Sequence, residues 1–210
     1  MSLSGMLTKQ NSIVKILRRA LILLQTQIFR VGILAAFLCF GPGLVLAQTF
    51  DKEWRALTEQ FRELSQQNQH DESLEVAKKA LKLAERNAKI GGPEFAASFT
   101  MLGSAYLELH QFENALAYLL KSVSISEKIL GASHPNMRHL LIALARTYQK
   151  MGLYEKSIVI NQRALAIIEK TWGQDDPRTA TVINNLADNY RSLGFFEEAA
   201  SLLSRSLAIA

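Results

Sequence analysis

Residues 131–168 read GASHPNMRHLLIALARTYQKMGLYEKSIVINQRALAII, and residues 173–210 read GQDDPRTATVINNLADNYRSLGFFEEAASLLSRSLAIA. Placed one above the other, the two stretches agree at 11 of 38 positions. The same offset extends upstream: Pro93, Pro135 and Pro177 share it, as do Leu102, Leu144 and Leu186, and Tyr106, Tyr148 and Tyr190. Glu113, Glu155 and Glu197 follow, each behind an aromatic residue: Phe112, Tyr154 and Phe196. A more degenerate unit fits at 51–88, where Leu74 aligns with Leu116, and Lys79 and Glu85 with Lys121 and Glu127. Self-similarity at a fixed period of this length is the mark of a repeat architecture. The units are approximately 51–88, 93–130, 135–172 and 177–210.

Each unit reads as two helices. Asp176 is a good N-cap, and Pro177 sits at the first helical position, where its missing N–H costs nothing. Ile183, Leu186, Ala187 and Tyr190 form the i, i+3, i+4, i+7 stripe of an amphipathic helix. Gly194 ends it in the left-handed conformation. Phe196 opens a second helix with Glu197 and Glu198 in its first turn, where the helix dipole favours acids. Ala199, Leu203 and Ser206 are expected to face back on the first helix. The recurrence of Tyr106, Tyr148 and Tyr190 marks them as core. No stretch alternates as a strand does, so the expected fold is all-α.

These residues resemble tetratricopeptide repeats: Leu186-Ala187-x-x-Tyr190 together with Ala199 follows that consensus of large and small packing residues. The longer period, the Gly-x-x-His-Pro and Gly-x-Asp-Asp-Pro connections and Asn184-Asn185-Leu186-Ala187 are similar to the kinesin-light-chain type. Gly103 and Ala115 fit, but His110 stands where Gly152 and Gly194 stand later, and Gln60 and Leu64 replace the Leu and Tyr of the first unit. The resemblance implies a right-handed superhelical solenoid of antiparallel helix pairs over 48–210. It also implies that each unit's first helix lies on a concave side. There it places Arg55, Thr58 and Arg62; Ala97, Thr100, Ser104 and Glu108; His139, Ile142, Arg146 and Lys150; and Asn184, Asp188 and Arg191. Arg146, Lys150 and Arg191 are expected to line one basic groove. Asn184 and Asn185 carry amides that donate and accept at once, which suits an extended peptide backbone.

Residues 1–47 differ from everything downstream. They carry Lys9, Lys15, Arg18, Arg19 and Arg30 and no acid, which leaves 19 basic and 19 acidic residues in 48–210. The net charge of +5 is therefore the leader's, and the repeat region offers no basic excess for nucleic acid. After Arg30 runs the uncharged VGILAAFLCFGPGLVLA, broken by Gly41-Pro42-Gly43, with Val45 and Ala47 at −3 and −1 of a cut before Gln48. Basic segment, apolar core, helix breaker and small residues compose a secretory signal. The expected location is exported, periplasmic or secreted. The alternative is a membrane anchor formed by an uncut leader, since the run from Val31 to Ala47 is at the low edge of length for a span. Leu38 before Cys39 is too bulky for an acylated cysteine, and once the leader is cut no Cys remains.

Chemistry is scarce. His70, His110, His134 and His139 form no H-E-x-x-H, and there is no G-x-S-x-G, P-loop or G-x-G-x-x-G. His134, before Pro135, reads as a cap. Gly91-Gly92-Pro93 is an inter-repeat turn, and Asp175-Asp176 belongs to a cap rather than to a catalytic pair. No metal, cofactor or catalytic residue is expected, and the reading is a non-enzymatic adaptor that binds a peptide or protein, acidic in character. Its alternatives are an anchored structural or assembly subunit of an envelope complex, and the repeat part of a larger effector. Leu202, Leu207 and Ile209 in the last helix are expected to form an apolar stripe that pairs two copies.

Overall fold

The computed structural model describes residues 49–87 and 91–209. The chain divides into two units, Met1–Lys52 and Glu53–Ala210. Of the first, only 49–52 are described, and they are helical. The expectations for the leader, with the cut between Ala47 and Gln48, lie outside the described residues.

The second unit is all helix and turn among its described residues. A helix running to residue 66 (α1) is followed by α2 (His70–Asn87), α3 (Pro93–Glu108), α4 (Phe112–Leu130), α5 (Met137–Lys150), α6 (Tyr154–Trp172), α7 (Pro177–Ser192) and α8 (Phe196–Ile209). Consecutive helices pack on one another, and the first helices of successive pairs also touch, α3 on α5 and α5 on α7. That is the TPR-like solenoid, in which each pair completes its core only against its neighbours.

Local chemistry sets the helix ends. The Asp176 carboxylate accepts the Arg178 backbone N–H at 2.9 Å, and Pro177 opens α7 behind it. His134 acts one step earlier than a helix cap: its Nδ1 accepts the N–H of Asn136, the N-cap residue of α5, at 3.1 Å. The turns inside the pairs carry a left-handed residue at each step of the period: Asn68, His110, Gly152 and Gly194 have φ of 59°, 58°, 74° and 85°. His110 thus adopts the backbone that glycine adopts later. Asn68, which tolerates this region better than most residues, shows that the degenerate first unit turns in the same way.

Two apolar clusters fill the interior. One gathers Leu74, Val76, Ala77 and Ala80 of α2 with Met101, Leu102 and Ala105 of α3, and α1 lays Trp54, Leu57, Phe61 and Leu64 on it. The other runs from Leu119 through Met137, Leu140, Leu141, Leu144, Ala164, Ile167 and Ile168 to Val182. Leu102, Leu144 and Leu186 are all buried, as the stripe predicts.

Three expectations are corrected. Ala199 and Ser206 do face α7, but Leu203 is 48% exposed. Its equivalents Leu119 and Asn161 are buried, because there a further helix pair packs over that position. On α8 the most exposed apolar residues are Phe196, Leu203 and Leu207, whereas Leu202 and Ile209 are half-buried, so the bare stripe is displaced from the expected one. Tyr106, Tyr148 and Tyr190 are half-buried: Tyr106 and Tyr148 pack against the two clusters from their edges instead of lying inside them. Tyr106 stacks on Tyr118 at 5.6 Å, and Tyr190 meets the edge of Phe195 at 6.2 Å.

Candidate functional site

The residues assigned to a groove fall on α5 and α7, which lie side by side. His139, Arg146 and Lys150 are on α5; Asn184, Asn185, Asp188 and Arg191 are on α7. The charges are not all free. Arg146 Nη2 lies 3.3 Å from Glu108 Oε1 of α3, and Arg191 Nη2 lies 2.8 Å from Asp188 Oδ1. Lys150 is exposed and has no ion-pair partner among the described residues. Each paired guanidinium keeps further N–H donors, because an arginine offers five. Asn184 is exposed; Asn185 is half-buried, and its Nδ2 finds no acceptor among the described residues.

A cavity of about 230 Å³ opens beside His139, where the N-termini of α3 and α5 meet the C-terminus of α4. Its walls are Pro93, Ala96, Ala97, Ile129, Leu130, Met137 and Leu140, with Thr100, Ser126, Asn136 and His139 as its polar groups. One repeat later the corresponding space is filled. There Trp172 stands in place of Leu130, and the guanidiniums of Arg138 and Arg178 lie over its ring at 4.9 and 4.4 Å from the centroid. Their counterparts beside the cavity are Ala96 and Asn136, which are too small to close it. His139 itself is exposed at the cavity's rim; its partial burial, and secondarily Arg138, hold the imidazole below its ordinary range.

Several interactions escaped the reading of the sequence. Arg163 of α6 pairs with Glu127 of α4 at 2.6 Å and donates to the Ala132 carbonyl at 2.7 Å. Arg205 of α8 does the same to Glu169 of α6 and to the Gln174 carbonyl, at 2.6 and 3.2 Å. Every member is displaced by one full period, so second helices are latched to one another by a repeated Arg–Glu pair. The signal was present, since Arg163 and Arg205 are among the 11 identities.

No helix among the described residues is long and apolar enough to cross a membrane. No cluster of His, Cys, Asp and Glu that could hold a metal ion occurs among them either.

The tetratricopeptide-repeat family model matches residues 94–170 and 139–210. Curated protein sequences give no match. Among solved structures, the chain is similar to nearly identical TPR-like repeats of a Podosopora anserina kinesin light chain candidate. Identity is 28%, the TM-score is 0.66, and 74% of each chain is covered. BtubC (BKLC) from P. vanneervenii follows at 22% identity and TM-score 0.67, over 74% of this chain and 62% of that one. MamA follows at 15% and 0.55, over 74% and 77%. The last two speak for the fold alone. With the repeat period, the left-handed turns and the paired helices already in place, the chain belongs to the tetratricopeptide-repeat family, with repeats of the kinesin-light-chain type.

Proposed function

We propose that this chain is an exported, non-enzymatic interaction module that holds an acidic peptide or protein segment along the face shared by α3, α5 and α7. The observation that carries the reading is the set of Lys150, without an ion-pair partner among the described residues, and two partly engaged guanidiniums at the C-terminal ends of α5 and α7, with an apolar cavity large enough for a side chain at the other end of α5. Apolar walls with a few convergent polar groups are the common anatomy of a binding site. Fold alone fixes no partner, so the argument rests on these residues.

The test is an affinity capture from the native envelope with the wild-type chain and with R146E, K150E and R191E combined. Charge reversal should release the captured protein, remove the weakening by salt that wild-type capture shows, and leave helicity unchanged. Retention of the same protein by the triple variant would remove the groove as the site.

The leader supports export first, and its long basic segment with the apolar run from Val31 to Ala47 leaves an anchored assembly subunit as the alternative. N-terminal sequencing of exported material separates the two: a start at Gln48 means release, and a start at Met1 or Met6 means anchoring. Self-association is the other proposal. Phe196, Leu203 and Leu207 expose an apolar stripe on α8. Light scattering of the chain against L203E with L207E reports whether two copies pair there.

A further inference from the structure

The seam between α6 and α7 is built differently from its counterpart one repeat earlier. Where α4 and α5 contribute Ala115, Leu119, Ala143 and Thr147, α6 and α7 contribute Ser157, Asn161, Asn185 and Asn189. Ser157, Asn161 and Asn189 are at most 1% exposed. The Ser157 hydroxyl donates to the Ala145 carbonyl at 2.8 Å and accepts from Asn189 Nδ2 at 2.9 Å and Asn161 Nδ2 at 3.3 Å. One donor and two acceptors is all a hydroxyl has, so Ser157 is saturated. Asn189 Nδ2 also donates to the Asn185 carbonyl at 2.8 Å. Asn161 Oδ1, Asn189 Oδ1 and Asn185 Nδ2 are left without a partner among the described residues. Thr147, at the place of Asn189, satisfies itself on the Ala143 carbonyl at 2.9 Å. The apolar cluster that runs from α4 ends at Val182, near the start of α7.

We propose that the solenoid opens at this seam, α7 and α8 leaving α6 and rejoining it as one unit. The physical reason is a difference between states. Opening gives water to two acceptors and a donor that the closed seam leaves bare, whereas opening an apolar seam only exposes carbon. In a linear array each pair is held by its own contacts and one or two seams, so a weakened seam lowers the stability of everything beyond it. Asn184, Asp188 and Arg191 travel with α7, so opening parts them from Arg146 and Lys150 on α5. The proposal stands without the groove reading. If that reading holds, a partner bridging α5 and α7 would keep the seam closed.

Native-state hydrogen exchange of the full chain in rising urea tests this. The amides of α7 and α8 should share one opening, with a common urea slope, and be at least tenfold less protected than the slowest amides of α5. Asn161→Leu, which places on α6 the residue α4 already uses, should raise protection of α7 and α8 together by roughly fivefold or more and leave α3 and α4 unchanged. Asn189→Thr is the second variant and should act in the same direction. Protection graded along α8 with α7 as slow as α5 would be ordinary fraying and would overturn the proposal. So would unchanged exchange in both variants, or a failure of both to fold, because the polar set would then be holding the seam.

Discussion

Gly103 sits in the middle of α3 pressed against Leu119 of α4. A Cβ added there would stand 2.6 Å from Leu119 Cγ, 2.8 Å from its Cδ2 and 3.3 Å from the Ala115 carbonyl oxygen. Cγ is the branch point of the leucine, not a free end, and the side chain is wholly buried in the cluster of Met137, Leu140 and Leu141. It cannot swing aside without moving them. Two effects of Gly103→Ala therefore oppose each other. Replacing a helix-interior glycine by alanine gains about 1 kcal/mol. Forcing a methyl into a packed core costs about 1–3 kcal/mol. The expected net change runs from neutral to a loss of about 2 kcal/mol, opposite in sign to the usual result for a helical glycine. A cycle with Leu119→Ala isolates the clash. That substitution alone should cost about 2–5 kcal/mol. In its background the leucine is gone and only the Ala115 carbonyl oxygen remains close, so Gly103→Ala should stabilise by up to about 1 kcal/mol. Urea unfolding followed by helical circular dichroism measures all four corners. If Gly103→Ala stabilised both backgrounds equally, α3 and α4 would not approach as closely as described.

Asp176→Ala removes the acceptor of the Arg178 N–H and should cost about 1 kcal/mol, read by the same urea titration; an unchanged midpoint would mean that Pro177 alone starts α7. Leu144→Ala, in the middle of the larger cluster, should cost about 2–5 kcal/mol and lower the protection of both neighbouring pairs; damage confined to α5 would contradict shared seams. His139 is held below its ordinary range, so the unfolded chain takes the proton first, and the stability it confers is full above its unfolded value near pH 6.5 and declines as pH falls below that. His139 is solvent-exposed, so the effect is small: His139→Gln should lose marginally less stability than wild type between pH 7.5 and pH 5.5 in paired urea titrations, and a greater loss would contradict the sign.

Much of this protein was written in one dimension because a repeat writes its own alignment. The repeat period, the prolines at the helix starts and the Leu-Ala-x-x-Tyr stripes each depend on residues within one turn or one helix, and such signals survive in the sequence. The cap of Asp176 and the buried Leu102, Leu144 and Leu186 followed from them. So did the assignment of His139, Arg146 and Lys150 to one helix and of Asn184 to Arg191 to the next. What each side chain meets across a seam was another matter. Arg146 and Arg191 read as free cations until α3 brought Glu108 to the first and the helix turn brought Asp188 to the second. Leu203 read as facing back on the first helix of its pair, and only the packing order shows that this position, buried at Leu119 and Asn161, needs a further helix to cover it. The cavity beside His139 and the polar seam at Ser157 depend on the sizes and polarities of residues far apart in the chain, such as Pro93 with Met137 and Ser157 with Asn189. A sequence records which residues are present; whether a space between helices is filled by Trp172 or left open beside Leu130 is decided by which neighbours the fold sets against them.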